Sequence, residues 1–127
     1  MPEALIIDAC RTPRGIGKVG KGALADFHPQ HLAATVLKAL AERNNLKTDE
    51  VEDIVWGTSS QRGKQGGDLG RMAALDAGYD TKASGMTLDR FCGSGVDVKF
   101  ALDCRGGGWV VCGQRSASEG TSPCPKL

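Results

Sequence analysis

Apolar positions fall into short blocks with two different periods, and the periods predict the elements. Residues Ala4 to Ala9 (Ala-Leu-Ile-Ile-Asp-Ala) form a nearly continuous apolar run, the pattern of a strand buried on both faces. Arg11-Thr12-Pro13 ends it. Pro29 suits the first turn of a helix. Leu32, Val36 and Leu40 then recur at i, i+4 and i+8 with Ala33 and Leu37 beside them, while Lys38, Glu42 and Arg43 take the other side. This is an amphipathic helix with one stripe for the core, and Asn44-Asn45 stops it. Thr48 to Val51 reads as a short capped turn, and Asp53 to Gly57 as a second strand. A polar, Gly-rich loop spans Thr58 to Asp68. Leu69 to Ala77 carries Met72, Ala73 and Leu75 in a short helix closed by Gly78, and Met86 to Phe91 reads as a third strand. Strands alternating with helices predict an α/β layered fold with parallel neighbouring strands.

After Val96 the pattern breaks. Val96, Val98 and Phe100 alternate with Asp97 and Lys99 where a helix is expected to follow a Gly-Ser-Gly turn. Three consecutive glycines, scattered cysteines and a Ser/Gly/Pro-rich ending follow without periodicity. The expectation is a tail that packs against nothing.

Length and composition narrow the class. A chain of 127 residues fits one domain or a piece of a larger one. Sixteen basic and fifteen acidic residues leave a net charge of +1, which steers toward neither nucleic acid nor an anionic membrane. The apolar runs are too short to span a bilayer. Met1-Pro2-Glu3 does not open a secretory signal, so a cytoplasmic location is expected. Five cysteines, an odd count without repeated spacing, argue against a disulfide framework and for reduced thiols. No histidine follows His31, so no zinc site is expected. The loop from Arg14 to Gly22 has four glycines and three basic residues, an invitation to phosphate. Its spacing nevertheless fits neither nucleotide-binding fingerprint, and a solvated cationic loop is the reading.

Candidate chemistry centres on Cys92, in Thr87-Leu88-Asp89-Arg90-Phe91-Cys92-Gly93-Ser94-Gly95. A cysteine at a strand-to-helix corner is offered unpaired N–H groups that favour the thiolate. Small residues after it let a bulky acyl substrate approach and let amides face a developing oxyanion. The bland counterpart is a small cysteine beside a turn.

Several stretches together resemble the thiolase family. They are Leu5 to Pro13, Gly22 to Asp26, Asp53 to Gly57, the Gln61 to Gly70 loop, Arg71 to Leu75, and the Cys92-Gly93-Ser94-Gly95 corner, in family order over residues 4 to about 96. Asp89 stands where the family more often has Asn. The resemblance implies a thiolase-like layered fold, of which this is an incomplete N-terminal half. Residues 1–96 would be the partial N-terminal domain, and 97–127 a non-family tail, frame-shifted or disordered. It further implies an acyltransferase in which Cys92 is the acyl-thioester nucleophile. A second acyl-CoA, deprotonated at its α-carbon, would take the acyl group to give a 3-oxoacyl-CoA, and the reverse reaction would cleave 3-oxoacyl-CoA with free CoA. Coenzyme A thioesters are then substrates in fatty-acid or sterol side-chain β-oxidation. No permanently bound cofactor and no metal is expected, and the intact family enzyme is expected to be a homo-oligomer. The family's other acid/base groups lie in Gly-His-Pro, Cys-x-Gly-Gly-Gly and Asn-Glu-type segments of its C-terminal half. Here His28 and His31 fall upstream and read as surface or helix-end residues. Cys104-Arg105-Gly106-Gly107-Gly108 spells the cysteine motif, but its flanks do not continue it. A catalytically inactive thiolase-like binding or interaction module is the alternative. A redox-sensing cysteine protein is a third reading, resting on the thiols alone.

Overall fold

A computed structural model describes residues 5–16 and 20–94, together with the backbone of 109–114. The described residues form two α-helices and three strands: α1 (Pro29–Arg43), β1 (Val51–Thr58), α2 (Leu69–Asp76), β2 (Ser84–Asp89) and β3 (Trp109–Gln114). Short 3-10 turns at Thr48–Glu50, Gly63–Gln65 and Phe91–Gly93 link them. The strands form one parallel sheet in the order β2-β1-β3, and the chain is an α/β layered fold of the expected kind.

The central strand is the most apolar one. Val51, Ile54, Val55 and Trp56 are all buried. Alternation along the strand sends Ile54 and Trp56 into a cluster with Ala33 and Leu37 of α1 and Leu69, Ala73 and Ala74 of α2. Val55, on the opposite face, is buried as well. The Trp56 ring nitrogen is buried without a hydrogen-bond partner among the described residues.

α1 begins and ends where its sequence predicts. Pro29 occupies the first turn, and the His28 side chain accepts the Gln30 N–H at 3.3 Å as N-cap. The buried stripe is Leu32, Ala33, Ala34 and Leu37, with Val36 and Leu40 only half-buried. The stripe has turned toward the small residues because α1 packs against another helix, and alanines permit the closer approach. α2 comes closer still to the sheet. A Cβ on Gly70 would stand 2.9 Å from Trp56 Cβ and 3.0 Å from the Met86 carbonyl oxygen, and one on Gly85 would stand 3.0 Å from Arg71 Cα. Two glycines, one on each element, therefore let helix and strand meet. Asp68 caps α2, its carboxylate accepting the Arg71 N–H at 3.3 Å and the Thr87 hydroxyl at 2.7 Å.

Four expectations are corrected. Residues 5–10 form no strand, and Leu5, Ile6 and Ile7 are 71%, 81% and 59% exposed. The doubly buried place in the sheet is that of β1, flanked by β2 and β3, and residues 5–10 are not among the paired strands. The segment lies against the helix instead: Asp8 accepts from Arg43 at 3.0 Å and Asn44 at 2.9 Å, and the Cys10 thiol donates to the Val36 carbonyl at 3.5 Å. The third strand ends two residues early, at Asp89, because Phe91 enters a 3-10 turn. The turn at Thr48 has no side-chain cap; its hydroxyl accepts the Asp80 N–H at 3.2 Å. Finally, the expectation that nothing packs after Val96 fails at 109–114, where the backbone pairs with β1 from Val51↔Trp109 to Gly57↔Gln114. Trp-Val-Val-Cys is short but rich in residues that favour a pleated strand. Residues 17–19 of the cationic loop, the Cys104 to Gly108 motif and Cys124 lie outside the described residues.

Candidate active site around Cys92

Parallel pairing brings the C-terminal ends of β1 and β2 level, with Thr58 opposite Asp89. In open parallel sheets this is the end at which ligands bind, because the loops leaving the strands open outward there. Cys92 sits three residues beyond β2, in the Phe91–Gly93 turn, and is exposed and not disulfide-bonded. The loop leaving β1 at the same end carries Ser60, Gln61 and Gln65. Gln61 reaches across to donate to the Thr87 carbonyl at 3.4 Å, and Gln65 lies 3.1 Å from the Thr58 hydroxyl.

The corner is held from below by Ser94, which is fully buried. Its hydroxyl oxygen lies 2.7 Å from the Thr58 carbonyl and 2.8 Å from the Phe91 carbonyl, and accepts the Arg90 N–H at 2.9 Å. One hydroxyl proton is thus shared between two carbonyls, tying the turn to the end of the central strand. Among the described residues, a Cβ on Gly93 would meet only the aliphatic part of Arg90, at 3.9 Å.

The described part of the corner, which runs to Ser94, is a 3-10 turn. The Phe91 N–H donates to Asp89 at 3.2 Å, the Gly93 N–H to the Arg90 carbonyl at 3.0 Å, and the Ser94 N–H to the Phe91 carbonyl. A tight 3-10 turn satisfies its own donors, so these three are not offered to an anion in this conformation.

The histidines stand elsewhere. His28 caps α1, and His31, on the exposed side of that helix, pairs with Asp76 of α2 at 2.7 Å. Both are helix-end or surface groups, as read from the sequence. Among the described residues no three His, Cys, Asp or Glu side chains come together to hold a metal ion. No helix there is long and apolar enough to cross a membrane. Sequence reasoning missed Ser94 and Thr58 as parts of the site. A buried serine two residues after a cysteine is visible in the text, but its partner 36 positions upstream is not.

Residues 4–101 match the family model described as the thiolase N-terminal domain. The chain is 42% identical over 94 residues to a steroid 3-ketoacyl-CoA thiolase of Mycobacterium tuberculosis, covering 74% of this chain and 22% of that protein. It is 43% identical over 99 residues to a beta-ketoadipyl-CoA thiolase of Pseudomonas putida, covering 77% and 24% respectively. The fold resembles the crystal structure of the Bacillus anthracis acetyl-CoA acetyltransferase, with a TM-score of 0.59 at 31% identity, over 69% of this chain and 21% of that one. The chain spans about a quarter of the length of the curated relatives it matches.

Proposed function

The chain belongs to the thiolase family through its N-terminal domain, and from that membership we propose that it supplies the acyl-accepting cysteine of an acyl-CoA acyltransferase. In this reading Cys92 Sγ, as thiolate, attacks the carbonyl carbon of an acyl-CoA. The carbon–sulfur bond to CoA breaks, CoA leaves as thiol with a proton from solvent or a basic group, and the acyl group stays on Cys92. The observation that carries the reading is the placement of an exposed cysteine just beyond the level ends of two parallel strands.

Transfer of the acyl group to a second, α-deprotonated acyl-CoA needs further acid/base groups. The two histidines at hand cap or brace helices, so the proposal for this polypeptide stops at acylation. Complete condensation or cleavage of 3-oxoacyl-CoA is proposed for the longer family enzyme, with its homo-oligomeric state and cytoplasmic setting. The division into a family domain to residue 96 and a non-family tail belongs to the same proposal.

The experiment is site-resolved mass spectrometry after incubation with acetyl-CoA, with a parallel acetoacetyl-CoA cleavage assay. Acetylation at Cys92, lost in Cys92→Ser, and no cleavage turnover are expected. Acetyl transfer spread evenly over all cysteines would sink the nucleophile assignment, and sustained cleavage would sink the claim that acid/base groups are lacking. An inactive binding module is the second reading, favoured by the amides of the corner being already paired. It calls for acyl-CoA binding without acetylation.

A further inference from the structure

Phe91 stands at φ +49°, in the left-handed region that a bulky side chain occupies only under constraint. Its ring is 71% exposed, so burial does not supply the constraint. The backbone does. On one side the Phe91 N–H donates to Asp89 Oδ1 at 3.2 Å; on the other, its carbonyl lies 2.8 Å from Ser94 Oγ. Ser94 is in turn anchored to the Thr58 carbonyl at the end of the central strand. Both polar groups of one strained residue are thus gripped by side chains, one from the exposed end of β2 and one from the buried floor of the corner.

Cys92 follows Phe91 directly, so the torsions of Phe91 set the direction in which the cysteine leaves the sheet. We propose that Asp89 and Ser94 are positioning residues: a two-sided clamp that holds the left-handed kink at Phe91 and thereby aims the Cys92 thiol. This rests on the reading of Cys92 as acyl acceptor. It also gives Asp89 a role for its oxygen rather than for its charge, since an Asn at that position would present the same Oδ1.

The test reads iodoacetamide alkylation of Cys92 in the intact chain, resolved by peptide mass spectrometry. The high-pH plateau rate is divided by that of the same cysteine in the urea-unfolded chain. The clamped wild type is expected to differ from unity. Asp89→Ala and Ser94→Ala should each bring the ratio back toward one, by about fivefold or more, the factor set by releasing a strained torsion. Asp89→Asn should keep the wild-type ratio. Phe91→Gly, for which a positive φ costs little, should make Asp89→Ala nearly silent. Cys10 serves as the internal control, its ratio unchanged throughout. If Ser94→Ala unfolds the chain, the Cys10 ratio moves too, and the exposed Asp89 series decides alone. A wild-type ratio of one, unaltered ratios in Asp89→Ala, or Asp89→Asn behaving like Asp89→Ala would overturn the clamp. Acetylation by acetyl-CoA is measured separately: its absence with the alkylation pattern intact removes the nucleophile reading and leaves the clamp standing.

Discussion

Two apolar stretches look alike as text and end in opposite environments. Val51-Glu52-Asp53-Ile54-Val55-Trp56 becomes the central strand, with Ile54 and Val55 fully buried. Leu5-Ile6-Ile7 is at least as apolar, yet lies along the outside with Ile6 81% exposed. The difference lies in pairing rather than in composition. A strand is stabilised by pairing as well as by burial, and the partners of β1 on both sides are β2 and β3. Residues 5–10, unpaired with the sheet, are held by side-chain contacts instead: Asp8 to Arg43 and Asn44, and Cys10 to the Val36 carbonyl.

Substitutions should separate the two stretches sharply. Ile54→Ala should cost about 2–5 kcal/mol, the usual cost of emptying a core site, whereas Ile6→Ala should stay within about 0.5 kcal/mol, as for exposed positions. Chemical denaturation of both variants checks this, and equal losses would mean that residues 5–9 are buried in solution. Gly70→Ala comes next, at about 1–3 kcal/mol for overpacking, because its Cβ would press on Trp56 and on the Met86 carbonyl. Neither contact is a flexible chain end. Deleting residues 109–127 should lower the melting temperature, since it strips one edge of β1. An unchanged melting curve would return that segment to the status of an unpacked tail.

Two smaller effects depend on pH. Burial, followed by the nearby Cys10, pushes the Tyr79 phenol up to about 12, and its hydroxyl donates to the Leu37 carbonyl. The folded state thus prefers the neutral phenol. Stability from this group is intact below pH 10 and falls as pH rises from 10 toward 12. Tyr79→Phe should flatten that alkaline limb in a denaturation series. At the acid end, the hydrogen bond from Asn44, then that from the Ala9 N–H, hold the Asp8 carboxyl below its usual 3.8 despite an opposing effect of burial. Its contribution is present above pH 3.8 and fades as pH drops through the lowered value. The carboxylate is half-buried at the edge of the fold and tethers only this segment, so Asp8→Asn should loosen residues 5–10, seen as faster amide exchange there, with little change in global stability.

Much of the middle of the chain was legible without coordinates. The periodic stripe from Leu32 to Leu40 and the stop at Asn44-Asn45 specify α1, because a helix carries its burial pattern in its own spacing. Gly78, at φ +79°, closes the helix that Leu69 to Ala77 predicts. The family was legible as well, from stretches between Leu5 and Gly95, and the match to the thiolase N-terminal domain covers the same residues.

What tertiary structure alone decided is which of the strand-like segments pairs with the central strand. Residues 5–9 and 109–114 are both short runs able to form strands. Their separate fates follow from the pairing of the second with β1, and local sequence carries no term for that competition. The corner follows the same rule. The left-handed Phe91, the buried Ser94 hydroxyl and its bond to Thr58 join residues 36 positions apart. Spacing along a chain reports contacts within a helix or between alternate residues of a strand, whereas this bond exists only because parallel pairing leaves Thr58 level with Asp89.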